Sequence, residues 1–538
     1  MLLSAAAVAL CSAFCFGLNN GMLNSPERVI RTDFGLVEGG LGDSLWSLCI
    51  SIYSLGALVG CIGAPVLADR HGRRKFIHAN ATLYIIGAVL QAGAKLFATS
   101  AAGFGLFLFI AGRAVVGIAS GGSTVVVPLY LGEIAPASLR GKLGTAFQVT
   151  VTLSMLTAQV LGLPVALGTP GAWPVLLFSP VLPCAAQLLL HGRLLESPRW
   201  LSSHGRGEEA MAATQRFHAG RGSSEVQVGN AGAATSTSES GSGAAPIRVL
   251  ELLRTPRWRS PLRFCVVTMA VQQFSGINNV FNYSSAFLNA NGVNDGVVGA
   301  ITVSMNVANV LVTCVAAWLI DRVGRRPLLL GSTVGMIVTI LLLTLGLALP
   351  PSNGASGLIG VAVIAYVGSF GCGQGPVPWM LPAELFPTHA RATAGGVAAA
   401  CNWLSNFCVA QVSAPEAPDT PSPGIYVLDP RISSPLRSAQ LFLALAGGLH
   451  SFAFVPFAVV LVAFLIYAHR TMPETRGRSL EELATAFEPL REMRDPLTAD
   501  VMSPLPDMSR DRPNVSAAPI PLVISPAASA DHQHQSSC

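Results

Sequence analysis

Charged side chains are scarce in this chain. Asp, Glu, Lys and Arg make up 11% of its 538 residues, whereas hydrophobic types make up 51%. Soluble domains carry about 25% charged residues, so the composition does not fit a soluble globular protein. Runs of roughly 20 mainly apolar residues, the length that crosses a hydrocarbon core, alternate with short polar segments. The composition therefore predicts a protein with many membrane spans.

Motifs for covalent or metal-dependent chemistry are also missing from the sequence. The 11 cysteines show no paired spacing of the kind that indicates a disulfide framework or a zinc site. Neither a nucleophile with its base nor the spacing of a P-loop occurs. We therefore expect no enzymatic activity, no ATP-driven pump, no cofactor and no metal.

Acidic residues are missing from the centres of the apolar runs. Each of the 28 Asp and Glu residues falls in a predicted loop, in a tail or at the end of a span. A proton-driven transporter needs a titratable group that changes its exposure during the cycle. Arg113 lies inside the fourth span but is always charged, so we expect it to bond backbone or amide acceptors. His450, in the twelfth span, is either a packing residue or a proton relay.

The apolar runs predict an all-α membrane protein with twelve spans. The first set covers 3–24, 44–68, 76–97, 104–130, 143–163 and 172–192, and the second covers 261–289, 297–320, 328–349, 356–382, 392–413 and 438–468. Because the apolar run at the N-terminus has no basic segment before it, we expect it to be a span and not a signal peptide.

The spans group into two halves joined by a polar segment. The predicted domains are a six-helix half at 1–192, a cytoplasmic linker at 193–259, a second six-helix half at 260–468 and a cytoplasmic tail at 469–538. The linker is expected to hold short helices around a flexible Gly/Ser-rich insert, and the tail to be mostly disordered. A long external loop is predicted at 414–437.

Basic residues predict the orientation of these spans. Most of the 33 Lys and Arg residues lie in segments that share one side of the membrane. That side should be cytoplasmic, so both termini are expected in the cytoplasm. The formal net charge of +5 then follows from the topology, and we expect no nucleic acid partner.

Two charged motifs recur in the same order and at nearly the same offset. DRHGRR from Asp69 returns as DRVGRR from Asp321, and EIAPASLR from Glu133 returns as ELFPTHAR from Glu384. The repeat indicates duplicated halves, a common construction of secondary transporters. Such charges can bridge helices in one state and separate in another, or they can serve only to set the topology. The predicted cytoplasmic gate residues are Asp69, Arg73, Arg74, Glu133, Arg140, Glu196, Arg199, Asp321, Arg325, Arg326, Glu384, Arg391 and Glu474.

A series of segments, in order, resembles the sugar porter family of the major facilitator superfamily. The segments are DRHGRRK, GRAVVGIASGG, PLYLGEIAPASLRGKLGTAFQ, ESPRWL, QQFSGINNVFNYS, DRVGRRP, GPVPWMLPAELFP, NWLSNF and PETRGRSLEEL. FGLNNGMLNSP in the first span is similar to the facilitative hexose transporters of this family. The resemblance implies alternating access to one central sugar site. It also implies two partners, a small-molecule sugar and the lipid bilayer, a plasma-membrane location and no required oligomer.

Uncharged amides inside the spans predict the sugar site. A neutral polyhydroxylated ligand needs bidentate hydrogen-bonding groups and an aromatic face, and buried amides usually face the interior of a bundle. Gln272 and Asn279 are two helical turns apart, so they should share a face with Gln273. By resemblance, the hydrogen-bonding positions are Gln148, Gln272, Gln273, Asn278, Asn309 and Asn402, and the aromatic lining is Phe370, Trp379 and Trp403. Bonding between helices is the alternative role for any one amide.

Several positions refine the function that the resemblance implies. Asn19 stands where similar proton-coupled porters carry Asp, and an amide cannot take up a proton. Facilitative transport of hexoses such as glucose is therefore expected; a proton-coupled sugar or polyol symporter and a non-transporting sugar sensor are the alternatives.

Gly371 stands where close relatives carry Glu, and Met269-Ala270-Val271 where glucose-selective members carry Gln-Leu-Ser, so exclusion of fructose is not implied. Gly375-Pro376 can break the tenth span, either as a moving gate or as a plain kink.

Overall fold

The computed structural model is helical throughout the part of the chain that it describes. That part comprises residues 1–36, 41–136, 139–218, 249–290, 293–350, 352–412, 452, 454–478 and 482–483, and no strand occurs within it. The linker insert, the predicted external loop, His450 and the predicted tail beyond 491 lie outside the described residues, as does the side chain of Arg140.

The first half is a set of long helices joined by short connections. Its helices are α1 (Leu2–Gly21), α2 (Glu27–Asp33), α3 (Leu41–His71), α4 (Arg73–Gly93), α5 (Ala102–Ile134), α6 (Arg140–Leu161), α7 (Trp173–Phe178) and α8 (Val181–Leu189). Helices α9 (Pro198–Ser203) and α10 (Gly207–His218) follow on the linker. The sixth predicted span is thus two helices, because Pro180 interrupts it.

Helices α3 and α5 approach each other backbone to backbone. A Cβ atom at Gly117 would lie 2.3 Å from the carbonyl oxygen of Tyr53, and one at Gly121 would lie 2.0 Å from that of Ala57. Gly60 of α3 makes the reciprocal contact, 2.0 Å from the carbonyl oxygen of Ile118. Small residues at a helix interface allow this close approach. It matters in a membrane because the hydrophobic effect does not drive helices together in lipid, so association depends on close packing.

The second half is likewise a set of long helices, and two of its predicted spans, the seventh and the tenth, are broken. Its helices are α11 (Val249–Arg254), α12 (Pro256–Phe274), α13 (Ile277–Ala290), α14 (Asp295–Val323), α15 (Arg325–Ala348), α16 (Asn353–Cys372), α17 (Val377–Leu385), α18 (Thr388–Val412) and α19 (Val455–Thr471). Among the described residues, seven segments are long and apolar enough to cross a membrane. Two shorter apolar segments, Trp173–Leu189 and Val455–Thr471, stand where the sixth and twelfth spans are predicted.

The seventh predicted span is broken, which the sequence analysis did not predict. The chain turns at Ser275 and Gly276, and Gly276 has a positive φ of 83° that disfavours any side chain. The hydroxyl of Tyr366 donates to the carbonyl oxygen of Ser275 at 2.6 Å, which satisfies a carbonyl freed at the break. The predicted shared face of Gln272 and Asn279 is therefore wrong, because the two residues belong to different helices.

The tenth predicted span breaks where Gly375 and Pro376 predict a break. Helix α16 ends at Cys372 and α17 begins at Val377. A Cβ atom at Gly373 would lie 2.3 Å from the carbonyl oxygen of Leu328, so the broken segment sits directly on α15. The backbone N–H of Gln374 donates to Ser332 Oγ at 2.9 Å, which replaces a bond lost at the break.

Candidate functional site

A cavity between the two halves brings together all nine residues predicted for the sugar site. Its lining includes Gln148, Gln272, Gln273, Asn278, Asn309, Phe370, Trp379, Asn402 and Trp403. Helices α1, α5 and α6 form one wall, and helices α12 to α14 and α16 to α18 form the other. None of the described lining residues is charged. The cavity therefore suits a neutral polar ligand better than an ion.

Three amides of the second half bond one another in the wall of the cavity. Gln273 Nε2 donates to Asn402 Oδ1 at 2.9 Å, and Asn402 Nδ2 donates to Gln272 Oε1 at 2.8 Å. All three side chains are buried, and Asn278 Nδ2 donates to Gln273 Oε1. The resulting amide cluster (Gln272, Gln273, Asn278 and Asn402) joins α12, α13 and α18 and fixes the direction of each amide.

The amide cluster also holds the break in the tenth span. Gln272 Nε2 donates to the backbone oxygen of Gln374 at 2.7 Å and to that of Gly375 at 3.1 Å. These are carbonyl oxygens that the broken helix leaves without helical partners. A residue predicted to contact the sugar therefore also bonds the segment that the sequence predicts to be either a moving gate or a plain kink.

Asn309 faces Gly371, the position at which the resemblance implies Glu in close relatives. Its side chain is buried, and its Oδ1 atom has no hydrogen-bond partner among the described residues. A Cβ atom at Gly371 would lie 2.9 Å from that oxygen and 3.3 Å from Thr313 Oγ1. Helix α16 therefore packs directly against Asn309, and no side chain fits at 371 unless the amide moves.

Trp403 links the cavity wall of the second half to aromatic rings of the first half. Its ring meets Phe16 edge-on at a centroid distance of 5.8 Å and Tyr53 in the same manner at 5.8 Å. Ser54 Oγ donates to Asn406 Oδ1 at 3.1 Å between the same helices, α3 and α18. In this conformation the two halves therefore touch beside the cavity.

At the end of the bundle away from the repeated charges, a polar contact joins the halves. Asn24 Nδ2 donates to Ser284 Oγ at 3.0 Å, and the N–H of Ser285 reaches Asn24 Oδ1 at 3.4 Å. Asn24 follows α1, and the two serines belong to α13. The helix beyond the Gly276 break thus contacts the first half at this end.

At the opposite end, Arg73 is the centre of a charge network in the first half. Its guanidinium contacts Asp69 Oδ1 at 2.7 Å and both oxygens of Glu133 at 3.0 Å. Its backbone N–H donates to Glu196 Oε1 at 2.9 Å, and the N–H of Arg74 donates to the same carboxylate at 3.2 Å. Glu196 therefore caps the start of α4 with a negative charge.

The second half repeats this network around Arg325. Its guanidinium contacts Glu384 Oε1 at 2.9 Å and Asp321 Oδ1 at 3.3 Å. The backbone N–H groups of Arg325 and Arg326 donate to Glu474 at 3.0 and 3.1 Å. Burial acts to raise the pKa of Glu474, but these bonds and those from the backbone of Arg476 and Thr475 hold it below its ordinary value.

A glycine precedes each central arginine and is required there for two reasons. Gly72 and Gly324 have positive φ angles of 97° and 105°, which L side chains rarely adopt. A Cβ atom would also lie 2.3 Å from Glu196 Oε2 at the first position and 2.5 Å from Glu474 Oε2 at the second. The repeat in the sequence therefore corresponds to one structural arrangement of glycine, arginine and carboxylate that occurs in both halves.

In this conformation the described gate acids contact arginines of their own half. Glu133 bonds Arg73, and Glu384 bonds Arg325. A bridge from these acids to the other half stays a prediction. Of the remaining predicted gate residues, Arg199 is exposed on α9, and Arg391 Nε donates to the backbone oxygen of Phe386 at 3.3 Å.

Arg113 is buried in the first half and bonds backbone acceptors, as the sequence analysis expects. Its Nη1 atom donates to the carbonyl oxygen of Asn19 at 3.1 Å, and its Nε atom donates to that of Cys49 at 3.3 Å. The guanidinium also lies over the ring of Tyr53, 4.5 Å from the centroid. The side chain of Asn19 is buried and donates to the carbonyl oxygen of Cys15 at 2.9 Å.

Four polar residues of the cavity lining were not predicted from the sequence: Asn20, Thr124, Thr152 and Asn406. Two signals were available for them. Thr152 lies one helical turn beyond Gln148, and Asn406 lies one turn beyond Asn402, and both starting residues are predicted contacts. The residues at one-turn spacing from a predicted contact were therefore the ones to examine.

Comparisons with known proteins identify the family of this chain and agree with its fold. A family model described as Sugar (and other) transporter matches residues 4–487. Facilitated glucose transporter member 3 of solute carrier family 2 is 34% identical over 498 residues in mouse, and the match covers 90% of this chain and 93% of that protein. The human protein of the same name is 32% identical over 499 residues, with 90% and 92% covered.

Solved structures of the xylose transporter XylE from E. coli share the fold. The inward-open structure has a TM-score of 0.69 at 23% identity and covers 90% of this chain and 99% of that one. The partially occluded inward-open structure has a TM-score of 0.68 at 22% identity, with 89% and 99% covered. The family consists of membrane transporters and not of enzymes. This chain therefore belongs to the sugar transporter family, whose model matches nearly its whole length.

Proposed function

We propose that the protein is a uniporter that carries hexoses such as glucose down their gradient by alternating access. The observation that carries this proposal is the cavity, in which an uncharged set of amides and aromatic rings faces a space between the two halves. Amides offer the paired donors and acceptors that sugar hydroxyls use, and aromatic rings pack on the C–H faces of a sugar. The curated relatives of about one-third identity carry the name of facilitated glucose transporters, which supports a hexose as substrate.

The surroundings of Arg113 support transport without protons. The bonds described for its guanidinium go to carbonyl oxygens, and one of these belongs to Asn19, whose side chain is an uncharged amide. An amide has no protonation step in the physiological range, so this position offers no way to couple sugar movement to a proton gradient. The uncharged cavity lining points in the same direction.

The contacts between the halves support an alternating mechanism. One end is closed by Asn24 on Ser284, whereas at the other end the arginine networks keep to their own halves. Opening the closed end requires α13 to leave the first half, and the Gly276 break supplies the point about which it can turn. Since the basic residues gather at the arginine end, we place that end and both termini in the cytoplasm, and the protein in the plasma membrane.

Uptake of labelled hexose by proteoliposomes tests this function. We expect entry to stop at equal internal and external concentrations and to stay unchanged when a proton gradient is imposed or a protonophore is added. Accumulation above equilibrium that a protonophore abolishes would replace the uniporter with a symporter. Specific sugar binding without any flux would instead favour the sensor.

A further inference from the structure

Asn19 and Asn20 are consecutive asparagines that face different environments. Asn19 is 1% exposed, and its amide bonds the carbonyl oxygen of Cys15 inside the first half. Asn20 is half-buried and lines the central cavity together with Phe16, one turn earlier on α1. The rotation of about 100° per residue along an α-helix separates the two amides.

The amide of Asn20 has unused hydrogen-bonding capacity. Its one described contact is from Nδ2 to Met155 Sδ at 3.8 Å, and a thioether is a weak acceptor. Gln148, in the same wall of the cavity, has no hydrogen-bond partner among the described residues. By contrast, Gln272 and Asn402 direct their amide groups to protein partners. Free donors and acceptors are therefore available on the first-half side of the cavity, in addition to the unpaired Asn309 Oδ1 and Trp403 Nε1 of the second half.

We infer that Asn20 is a sugar-contacting residue and helps to determine which hexoses the protein accepts. This inference rests on the proposed hexose site and adds to it a second amide of the first half beside Gln148. One sugar hydroxyl takes the donor and acceptor of the Asn20 amide, while the amide cluster presents the opposite wall. The sugar thereby bonds both halves at once, and the halves can close around it.

Deoxyhexoses that each lack one hydroxyl test the contact. Their inhibition constants against labelled-hexose uptake are measured for the wild type and for Asn20→Leu, which keeps the size of the side chain but removes its hydrogen bonds. In the wild type, loss of the contacted hydroxyl should weaken inhibition about threefold to tenfold. In Asn20→Leu that one penalty should disappear, while the penalties for the other hydroxyls persist.

The same penalties in both proteins would overturn the role of Asn20. Asn80→Ala is the matched control, because Asn80 is a buried asparagine of the same half that bonds Ala119 and Ser123 outside the cavity lining; it should keep the wild-type pattern. Should Asn20→Leu not reach the membrane, Asn20→Ala carries the same comparison. If neither Asn20→Leu nor Gln273→Ala changed hexose uptake, the proposed site itself would fail; an effect of Gln273→Ala alone would reject only Asn20.

Discussion

Gln273 on α12 donates a 2.9 Å hydrogen bond to Asn402 on α18, and both side chains are buried in the wall of the cavity. Asn402 in turn donates to Gln272 and to the backbone of Met269. One asparagine thus aligns the amides of two glutamines. Substitutions in this cluster should affect sugar transport more than folding, because the ligand-facing amides lose their orientation.

Replacing Asn402 with alanine should lower hexose uptake at least tenfold. The change leaves Gln273 Nε2 and Gln272 Oε1 without partners, and each buried unpaired group costs about 1–3 kcal/mol. Gln273→Ala should do the same. Uptake is measured alongside the amount of protein at the cell surface, which we expect to stay near the wild-type amount. Asn306→Ala is the matched control, since Asn306 is equally buried but bonds only the backbone of its own helix at Thr302. Normal uptake by Asn402→Ala would argue against this site.

Gly324→Ala should destabilise the second half strongly. The residue has a φ of 105°, and an added Cβ would lie 2.5 Å from Glu474 Oε2. A side chain forced into such a backbone conformation costs about 1–3 kcal/mol before the clash is counted. Thermal stability in detergent, followed by the loss of monodisperse protein, measures the effect. Gly63→Ala is the control, because nothing lies within 4 Å of a Cβ placed there. Equal melting temperatures for the two variants would contradict the prediction.

Acid should weaken the network around Arg325. The folded-state pKa of Glu474 lies below its ordinary value, so its ionised form contributes stability above the ordinary glutamate pKa. That contribution is lost as the pH falls through the lowered folded-state value. The melting temperatures of wild type and Glu474→Gln should therefore differ at neutral pH and converge in acid. A difference that persists unchanged at the lowest pH would show that charge is not responsible. Glu209→Gln, an exposed i,i+3 pair with Arg206, should show little effect at any pH.

Asn19→Asp should make transport sensitive to pH. The substitution puts a titratable carboxyl group on the buried residue whose own backbone carbonyl oxygen accepts a bond from Arg113. A carboxylate beside a buried guanidinium is stabilised, and its protonation would release that attraction. Hexose exchange by the variant is compared with wild type across a pH series in proteoliposomes. The wild type should give a flat profile. Identical flat profiles would indicate that this position does not respond to protons.

The residues of the site were predictable because polar groups are expensive in a membrane. Amides such as Gln272 and Asn402 stand out within apolar runs. Because these side chains are uncharged and form hydrogen bonds, they already indicate a neutral ligand. The break in the tenth span was predictable for a similar reason, since Gly375 and Pro376 disrupt a helix through their own covalent structure.

The pairing of these residues could not be read from the sequence. Ser275-Gly276 is a weak breaking signal, and its effect depends on Tyr366, which is distant in the chain but supplies the hydrogen bond. The same holds for Gln272, whose amide bonds the carbonyl oxygen of Gly375. Likewise, the repeat of Asp69 at Asp321 indicates duplication without telling whether each charge bonds its own half or the other. Those distinctions depend on tertiary geometry alone.

The carboxylates of Glu196 and Glu474 each receive the first N–H groups of a helix in their own half, next to a glycine that leaves them room. Each half therefore has its own contact between a carboxylate and a helix N-terminus, and neither contact needs a residue of the other half. The part of the connection between the halves that follows Glu196 is then free to lengthen, shorten or change composition without altering either contact. Such a chain lends itself to division: two separately synthesised halves would each retain the charged contacts that shape their own ends.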